Sequence, residues 1–402
     1  ELMQLSLQNY FLFIFLTQMN YLMSDSTLKT NLVVIGGGPG GYTSAFRAAD
    51  LGQNVILIDK NTNLGGVCLN RGCIPSKSLL HLSKIINDAK KAEIMGVTFE
   101  TPDINVKNIH KWKNKIINDL NIGIEKLAKA RNVKIINGHA SFKSANQLTV
   151  VDHQNKAIEV LFDNCIIATG SKPQVLSHLN KSHPSILDST SALNFQKIPK
   201  KLLVIGGGYI GLELGSVFDS LGSKVTVAEF LPTLLSMADE DLVKYLFAKL
   251  NKNFENIYLS TEVTSLVPQN NNSIVASFKT KDKVFKDNFD NVLICAGRIP
   301  NTLNFSIEKT GIKLDEKGFI PVNVQRRTLI PNIYAIGDVT GDPMLAHKAS
   351  FEGKIAAEVI SGMNSVFNPT AIPSVIYTSP EIAWAGFNEK ELNEKNIKYS
   401  KS

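Results

Sequence analysis

The sequence predicts an α/β protein built on two Rossmann-like nucleotide-binding units. Two observations carry this expectation. First, "NLVVIGGGPGG" (31–41) and "KLLVIGGGYIG" (201–211) are near copies, each an apolar run of strand character feeding Gly-x-Gly-x-x-Gly. Second, each is followed by a helical pattern and a second apolar strand that ends in an acid. These acids are Asp59 in "NVILIDK" and Glu229 in "KVTVAEF", at the same spacing of 23 residues from the first glycine.

Each part of the motif has a physical reason. The first glycines, Gly36 and Gly206, permit the tight turn, and the second, Gly38 and Gly208, let backbone approach a pyrophosphate. The third, Gly41 and Gly211, allow close helix–strand packing, and the helix N-terminus faces the phosphate charge. An acid at the end of the second strand hydrogen-bonds ribose hydroxyls. At the second site Glu229 would repel a 2′-phosphate, which argues for NAD over NADP. Two adjacent units imply two nucleotides, and the natural pair is a flavin and a nicotinamide.

The repeat continues in "FDNCIIATGSKP" (162–173) and "FDNVLICAGRIP" (289–300), and the first copy is 43 residues longer between its first glycine and that Phe. The excess holds Cys68, Cys73 and a Lys-rich helical segment over 76–130. Cys165 and Cys295 sit in apolar strand runs and read as core residues without chemistry.

With 402 residues the chain is long enough for two or three domains. Its formal charge of +7 comes from scattered lysines with no block of like charges, which reads as a Lys-rich surface and not as a nucleic-acid footprint. Residues 1–28 look unlike the rest. "YFLFIFL" (10–16) is too short to span a bilayer and has no basic stretch before it. Met23 opens an ordinary cytosolic N-terminus, so residues 1–22 are expected to come from upstream of the true start, and 1–28 to be a disordered or non-native extension of a cytoplasmic protein, without a membrane partner.

The close pair Cys68 and Cys73 admits three readings: a zinc site, two unlinked structural thiols, or a redox disulfide. Zinc wants a second pair or ligand histidines, and only His81 stands nearby, so no metal is expected. A bridge across four residues closes a small loop that is easily reduced, and this reading fits best. After Cys73, "IPSKSLLHLSKIINDAKK" has a helical pattern with Pro and Ser near its start. Cys73 would lie by that N-terminus, where the helix dipole lowers a thiol pKa, while Cys68 would meet the outside substrate.

"GGVCLNRGCIPSKSLL" (65–80) resembles the active-site signature of the flavin disulfide reductase family, and within it the branch that oxidises dihydrolipoyl groups. "ATGSKP", "AGRIPN", "NIYAIGDV" (332–339), "PMLAHKASFEG" (343–353) and "IPSVIYTSPEIAWAG" (372–386) agree, so the similarity runs from about Lys29 to the chain end. The resemblance implies that Gly36, Gly38, Gly41, Asp59, Gly66, Ala140, Thr169, Gly170, Asp338 and Ala346 hold FAD. Asp59 stands where the family often has Glu. Gly206, Gly208, Gly211, Glu229, Val263 and Gly297 match NAD contacts. Lys77 resembles the lysine that sits near the flavin and pairs with a glutamate, which Glu213 matches. Tyr209, where many relatives are aliphatic, is placed to cover the nicotinamide pocket as in glutathione reductase.

The resemblance also implies an order of domains: FAD-binding (29–170), NAD-binding (171–298), central (299–370), and the start of an α+β dimerisation domain (371–402). Electrons would run from a dihydrolipoyl group to a Cys68–Cys73 disulfide, then to FAD, then as hydride to NAD⁺. The partners implied are a second copy of the chain and the dihydrolipoyl domain of an acyltransferase or the glycine cleavage carrier protein. The family takes its base from the partner subunit, a His followed by Pro and, further on, Glu. The sequence ends at Ser402 before such a segment, and the expectation is that it is incomplete. "HPSILD", with His183, imitates the pattern in a linker and reads as coincidence. The rivals are a reductase of glutathione or mercury, which Glu229 and "CLNRGCIPSK" speak against, and an inactive truncated FAD-binding subunit.

Overall fold

The computed structural model describes residues 27–179, 183–270 and 272–401. The expected extension over 1–28 lies outside the described residues except for its last two, and Leu28 already belongs to the first strand.

The first unit opens with β1 (Leu28–Ile35), α1 (Pro39–Asp50) and β2 (Val55–Asp59). Three helices follow: α2 (Gly66–Arg71), α3 (Cys73–Ala92) and α4 (Val106–Ala130). The strands β3 (Lys134–Ser144), β4 (Gln147–Asp152) and β5 (Ala157–Ile167) complete its sheet. β1 pairs in parallel with β2 and β5, and β2 with β3. All five residues of β2 are buried, as a parallel strand covered on both faces requires. The outer halves of β3 and β5 are bridged by β4, antiparallel to both.

The linking segment carries β6 (Ser171–Pro173), β7 (Ile186–Leu187) and the short α5 (Ser189–Ala192). The second unit then repeats the plan with β8 (Lys201–Ile205), α6 (Tyr209–Ser220), β9 (Lys224–Ala228), α7 (Glu240–Asn253) and β10 (Asn256–Tyr258). An antiparallel trio, β11 (Glu262–Pro268), β12 (Ile274–Lys279) and β13 (Val284–Phe289), precedes β14 (Asn291–Ile294). β14 lies between β8 and β7, giving a parallel sheet in the order β10-β9-β8-β14-β7. What is one long strand in the first copy, β5, is broken here into β13 and β14 at Asp290. β15 (Arg298–Pro300) returns to pair with β6.

The segment 299–370, expected as a central domain completing the flavin site, adds its strand β16 (Ile333–Ala335) to the first sheet beside β5. Without it β5 would leave a row of unpaired backbone groups at the sheet edge. Its helix α8 (Ala346–Ile360) packs on α1 so closely that a Cβ on Gly353 would stand 2.6 Å from the Gly40 carbonyl oxygen. β17 (Ser374–Ile376), β18 (Ile382–Trp384) and α9 (Glu389–Glu394) follow. Among the described residues no helix is long and apolar enough to cross a membrane.

One hydrophobic cluster fastens the inserted helices to the second unit. It joins Leu79 and Ile86 of α3 to Leu212 and Val217 of α6, and takes in Ile376 and Ile382 of β17 and β18. The cysteine-bearing segment therefore belongs to the first unit by connection and to the second by packing.

Gly353→Ala should lower stability by about 1–3 kcal/mol, because backbone and not a flexible side chain stands in the way. Urea unfolding of the variant, with the slope unchanged and the midpoint reduced, is the expected result.

Candidate active site

A cavity of about 450 Å³ opens between the two units. Gly36, Gly38, Asp59, Gly66, Cys68, Cys73, Lys77, Ala140, Thr169, Gly170, Glu213, Asp338 and Ala346 all line it. Its size lies within the usual range of small-molecule sites, about 300–1,000 Å³.

The Gly-rich turn shapes one wall. Gly36 has φ +106°, and a Cβ there would sit 2.3 Å from the Ala168 carbonyl oxygen. Gly41 lies behind the wall: its Cβ would stand 1.7 Å from the Gly36 oxygen, so helix and strand meet only as bare backbone. Gly38 caps α1 with no side-chain hydrogen bond, which leaves the first amides of the helix for an anion. Asp59 accepts from the Gly37 amide at 2.6 Å with one oxygen and from the Asn61 amide at 2.8 Å with the other. The second unit repeats this, Glu229 accepting from Gly207 N at 2.5 Å and from Leu231 N at 2.7 Å. Asp59 Oδ1 also accepts from the Asn61 side-chain amide at 2.8 Å, so the Asp59 oxygen that bonds Gly37, and both oxygens of Glu229, keep a lone pair for a ribose hydroxyl. A bare helix end beside a strand-end acid fits a dinucleotide, and both units have it.

Gly206, Gly208, Gly211, Glu229, Val263 and Gly297 do not line the cavity. Nothing stands within 4 Å of a Cβ built on Gly208, so the approach to that helix end is open. Val263 is 4% exposed and packs in the core. Tyr209, the first residue of α6, does line the cavity, and burial pushes its hydroxyl up to about 12.

Cys68 lies within α2 and Cys73 is the first residue of α3. Both are thiols in this structure. Cys68 donates its S–H to Cys73, which lowers the Cys73 pKa to about 7 against the opposing effect of burial, with Lys77 lowering it further. The same hydrogen bond and burial raise Cys68. Both thiols line the cavity, Cys73 the more exposed of the two. Cys73 heads its helix after a glycine, where no preceding turn covers it, whereas Cys68 is enclosed within its own.

Lys77, one turn along α3, bonds Glu213 of α6 at 2.8 Å. Glu213 is 3% exposed and also accepts from the Ser76 hydroxyl at 3.2 Å and the Tyr377 amide at 3.0 Å. The Lys77 ammonium lies 4.6 Å from the centre of the Tyr377 ring. Asn70 holds the α2 loop through the Leu64 and Gly66 carbonyls and is itself held by Asn121 of α4. Asp338 accepts from the Ser171 hydroxyl, which accepts from Arg298. The parts played by Ser76, Asn70, Ser171, Arg298 and Tyr377 were not read from the sequence. Ser76 and Asn70 fall inside the quoted signature, but the Tyr377 contact is made by a main-chain amide and leaves no residue signal.

Of the seven histidines only His139 lines the cavity. His183 lies in the linker, where its Nδ1 accepts from the Ser185 amide at 3.2 Å. Among the described residues no group of His, Cys, Asp and Glu could hold a metal ion. Cys165 is buried in the core, and burial pushes the Cys295 thiol up to about 12.

The paired Gly-rich turns and the dithiol define a class, and comparison with known proteins gives the same one. Residues 30–353 match the family described as pyridine nucleotide-disulphide oxidoreductase, and the chain belongs to it. Among the relatives, the chain is 45% identical over 372 residues to the dihydrolipoyl dehydrogenase of Vibrio parahaemolyticus, an alignment covering 92% of this chain and 78% of that protein. It is 46% identical over 377 residues to the dihydrolipoyl dehydrogenase of Buchnera aphidicola subsp. Acyrthosiphon pisum, covering 93% and 79%. For the dihydrolipoyl dehydrogenase of Geobacillus stearothermophilus the identity is 40% over 375 residues, covering 93% and 79%.

Alkylation of the reduced chain should tell the two thiols apart. Cys73 carboxymethylation, followed by peptide mass spectrometry, should rise with pH through an inflection near 7, because only the thiolate reacts. Cys68 should remain unmodified over that range. Lys77→Met should move the Cys73 inflection to higher pH.

Proposed function

We propose that this chain oxidises dihydrolipoyl groups with NAD⁺, using FAD and a Cys68–Cys73 disulfide. The observation that carries the proposal is the lowered Cys73 thiol at the head of α3, set in the same cavity as the Gly-rich turn and Asp59. The names of the relatives favour dihydrolipoyl over glutathione or mercury.

In this reading the oxidised enzyme carries the disulfide. A dihydrolipoyl thiolate attacks Cys68 sulfur and releases Cys73 as the leaving thiolate, which its low pKa favours. The second dihydrolipoyl thiol then displaces Cys68, leaving lipoyl disulfide and an enzyme dithiol. Two electrons have entered the chain, and one proton must leave with each attacking thiol. FAD, which the Gly36–Gly41 turn, Asp59 and Asp338 would hold, would supply an acceptor for this electron pair on the Cys73 side and a hydride donor for NAD⁺. Lys77, held by Glu213, favours the Cys73 thiolate. Glu229 meets the ribose hydroxyls and excludes a 2′-phosphate.

The setting we propose is a cytoplasmic 2-oxoacid dehydrogenase or glycine cleavage complex. The dihydrolipoyl domain of an acyltransferase, or the glycine cleavage carrier protein, is the electron donor there. A homodimer completes the site.

The reverse direction tests this proposal on the chain itself. Anaerobic NADH added to the FAD-loaded, oxidised chain should release two titratable thiols per chain. NADPH should do so far more slowly. Cys68→Ser and Cys73→Ser should each abolish the release. Thiols that do not appear with NADH, or that appear equally with NADPH, would sink the proposal.

A further inference from the structure

A second buried charge cluster lies beside the cavity and has no place in the chemistry above. Glu352 of α8 is fully buried, 0% exposed. One of its oxygens accepts from Arg326 at 2.9 Å and from Lys348 at 3.1 Å. The other accepts from the Gly337 amide at 2.6 Å. Lys348, 6% exposed, also donates to the Gly341 carbonyl at 3.1 Å. The two side chains therefore grip both ends of the short turn from Gly337 to Gly341, and Asp338 is the second residue of that turn.

Gly337 has φ +76°, and Gly341 has φ +111°. Arg326, which shares one Glu352 oxygen with Lys348, is itself left-handed at φ +62°. A fully buried carboxylate is costly to keep unless its bonds are made, so the arrangement is held in one geometry. A purely structural ion pair would not need to bond both ends of the segment that carries a cavity-lining carboxylate.

We propose that Glu352 is a positioning residue for the flavin site. With Lys348 it fixes the turn that aims Asp338, which in turn is oriented by Ser171. The inference rests on the reading that Asp338 contacts the flavin, and it assigns to Glu352 a share of FAD affinity that acts through Asp338 alone.

The test is a double-mutant cycle on FAD binding to the full chain, read by the flavin fluorescence change on titrating the flavin-free protein. Asp338→Asn and Glu352→Gln should each weaken FAD binding at least tenfold. The double variant should bind no more than about twofold worse than the weaker single, because the second substitution has nothing left to disturb. If Asp338→Asn binds FAD like the parent, the site reading fails. If Asp338→Asn weakens binding and Glu352→Gln does not, or if the two losses multiply, the inference fails. Should Glu352→Gln not fold, Lys348→Met replaces it, since it keeps the carboxylate and frees only the Gly341 end. Lys348→Met is expected to weaken FAD binding and to be non-additive with Asp338→Asn. Parental affinity, or losses that multiply, would overturn the proposal.

Discussion

The buried carboxylate of Glu213 is the constraint around which the site is assembled. Stripping a carboxylate of water costs several kcal/mol unless bonds replace the lost hydration. Glu213 recovers those bonds from two separate segments: Lys77 and Ser76 on α3, and the Tyr377 amide after β17. The second unit, the inserted helix and the C-terminal strand pair must therefore meet at one point. Because α3 is fixed there, its N-terminus is fixed too, and with it the position of Cys73 in the cavity.

The two units use the same backbone device for different ends. In both, the amide after the first glycine bonds the strand-end acid, Gly37 to Asp59 and Gly207 to Glu229. In both, a helix follows without a side-chain cap. They diverge in what is attached. The first unit receives the dithiol and three helices after β2 and takes β16 from far along the chain. The second is left with an open helix end and contributes Tyr209 and Glu213 to the shared cavity. Two differently equipped Gly-rich units thus arise from one duplicated plan.

The thiol pair shows how geometry divides labour between like residues. Cys68 and Cys73 have the same intrinsic acidity, yet a single S–H···S bond raises one and lowers the other. Lys77 adds to the lowering of Cys73, and burial works against it. Both thiols face the same cavity, with Cys73 at the head of its helix.

Local physics made much of this legible in the sequence. Gly36, Gly41, Asp59 and their second copies carry constraints that only a few residue types satisfy, so their pattern alone announces the turn, the packing and the acid. The Cys68–Cys73 spacing and the helix start at Cys73 are likewise contained within a few neighbouring residues. Tertiary structure decided what depends on distant partners. The strand Ile333–Ala335 joins the first sheet because β5 offers an open edge, a fact no local pattern in that stretch carries. The Tyr377 amide bonds Glu213, and Glu352 grips the turn of Asp338, through contacts that only the folded chain brings within bonding distance. A buried carboxylate reads in sequence like any exposed one, and its role appears only when the groups that replace its water can be named.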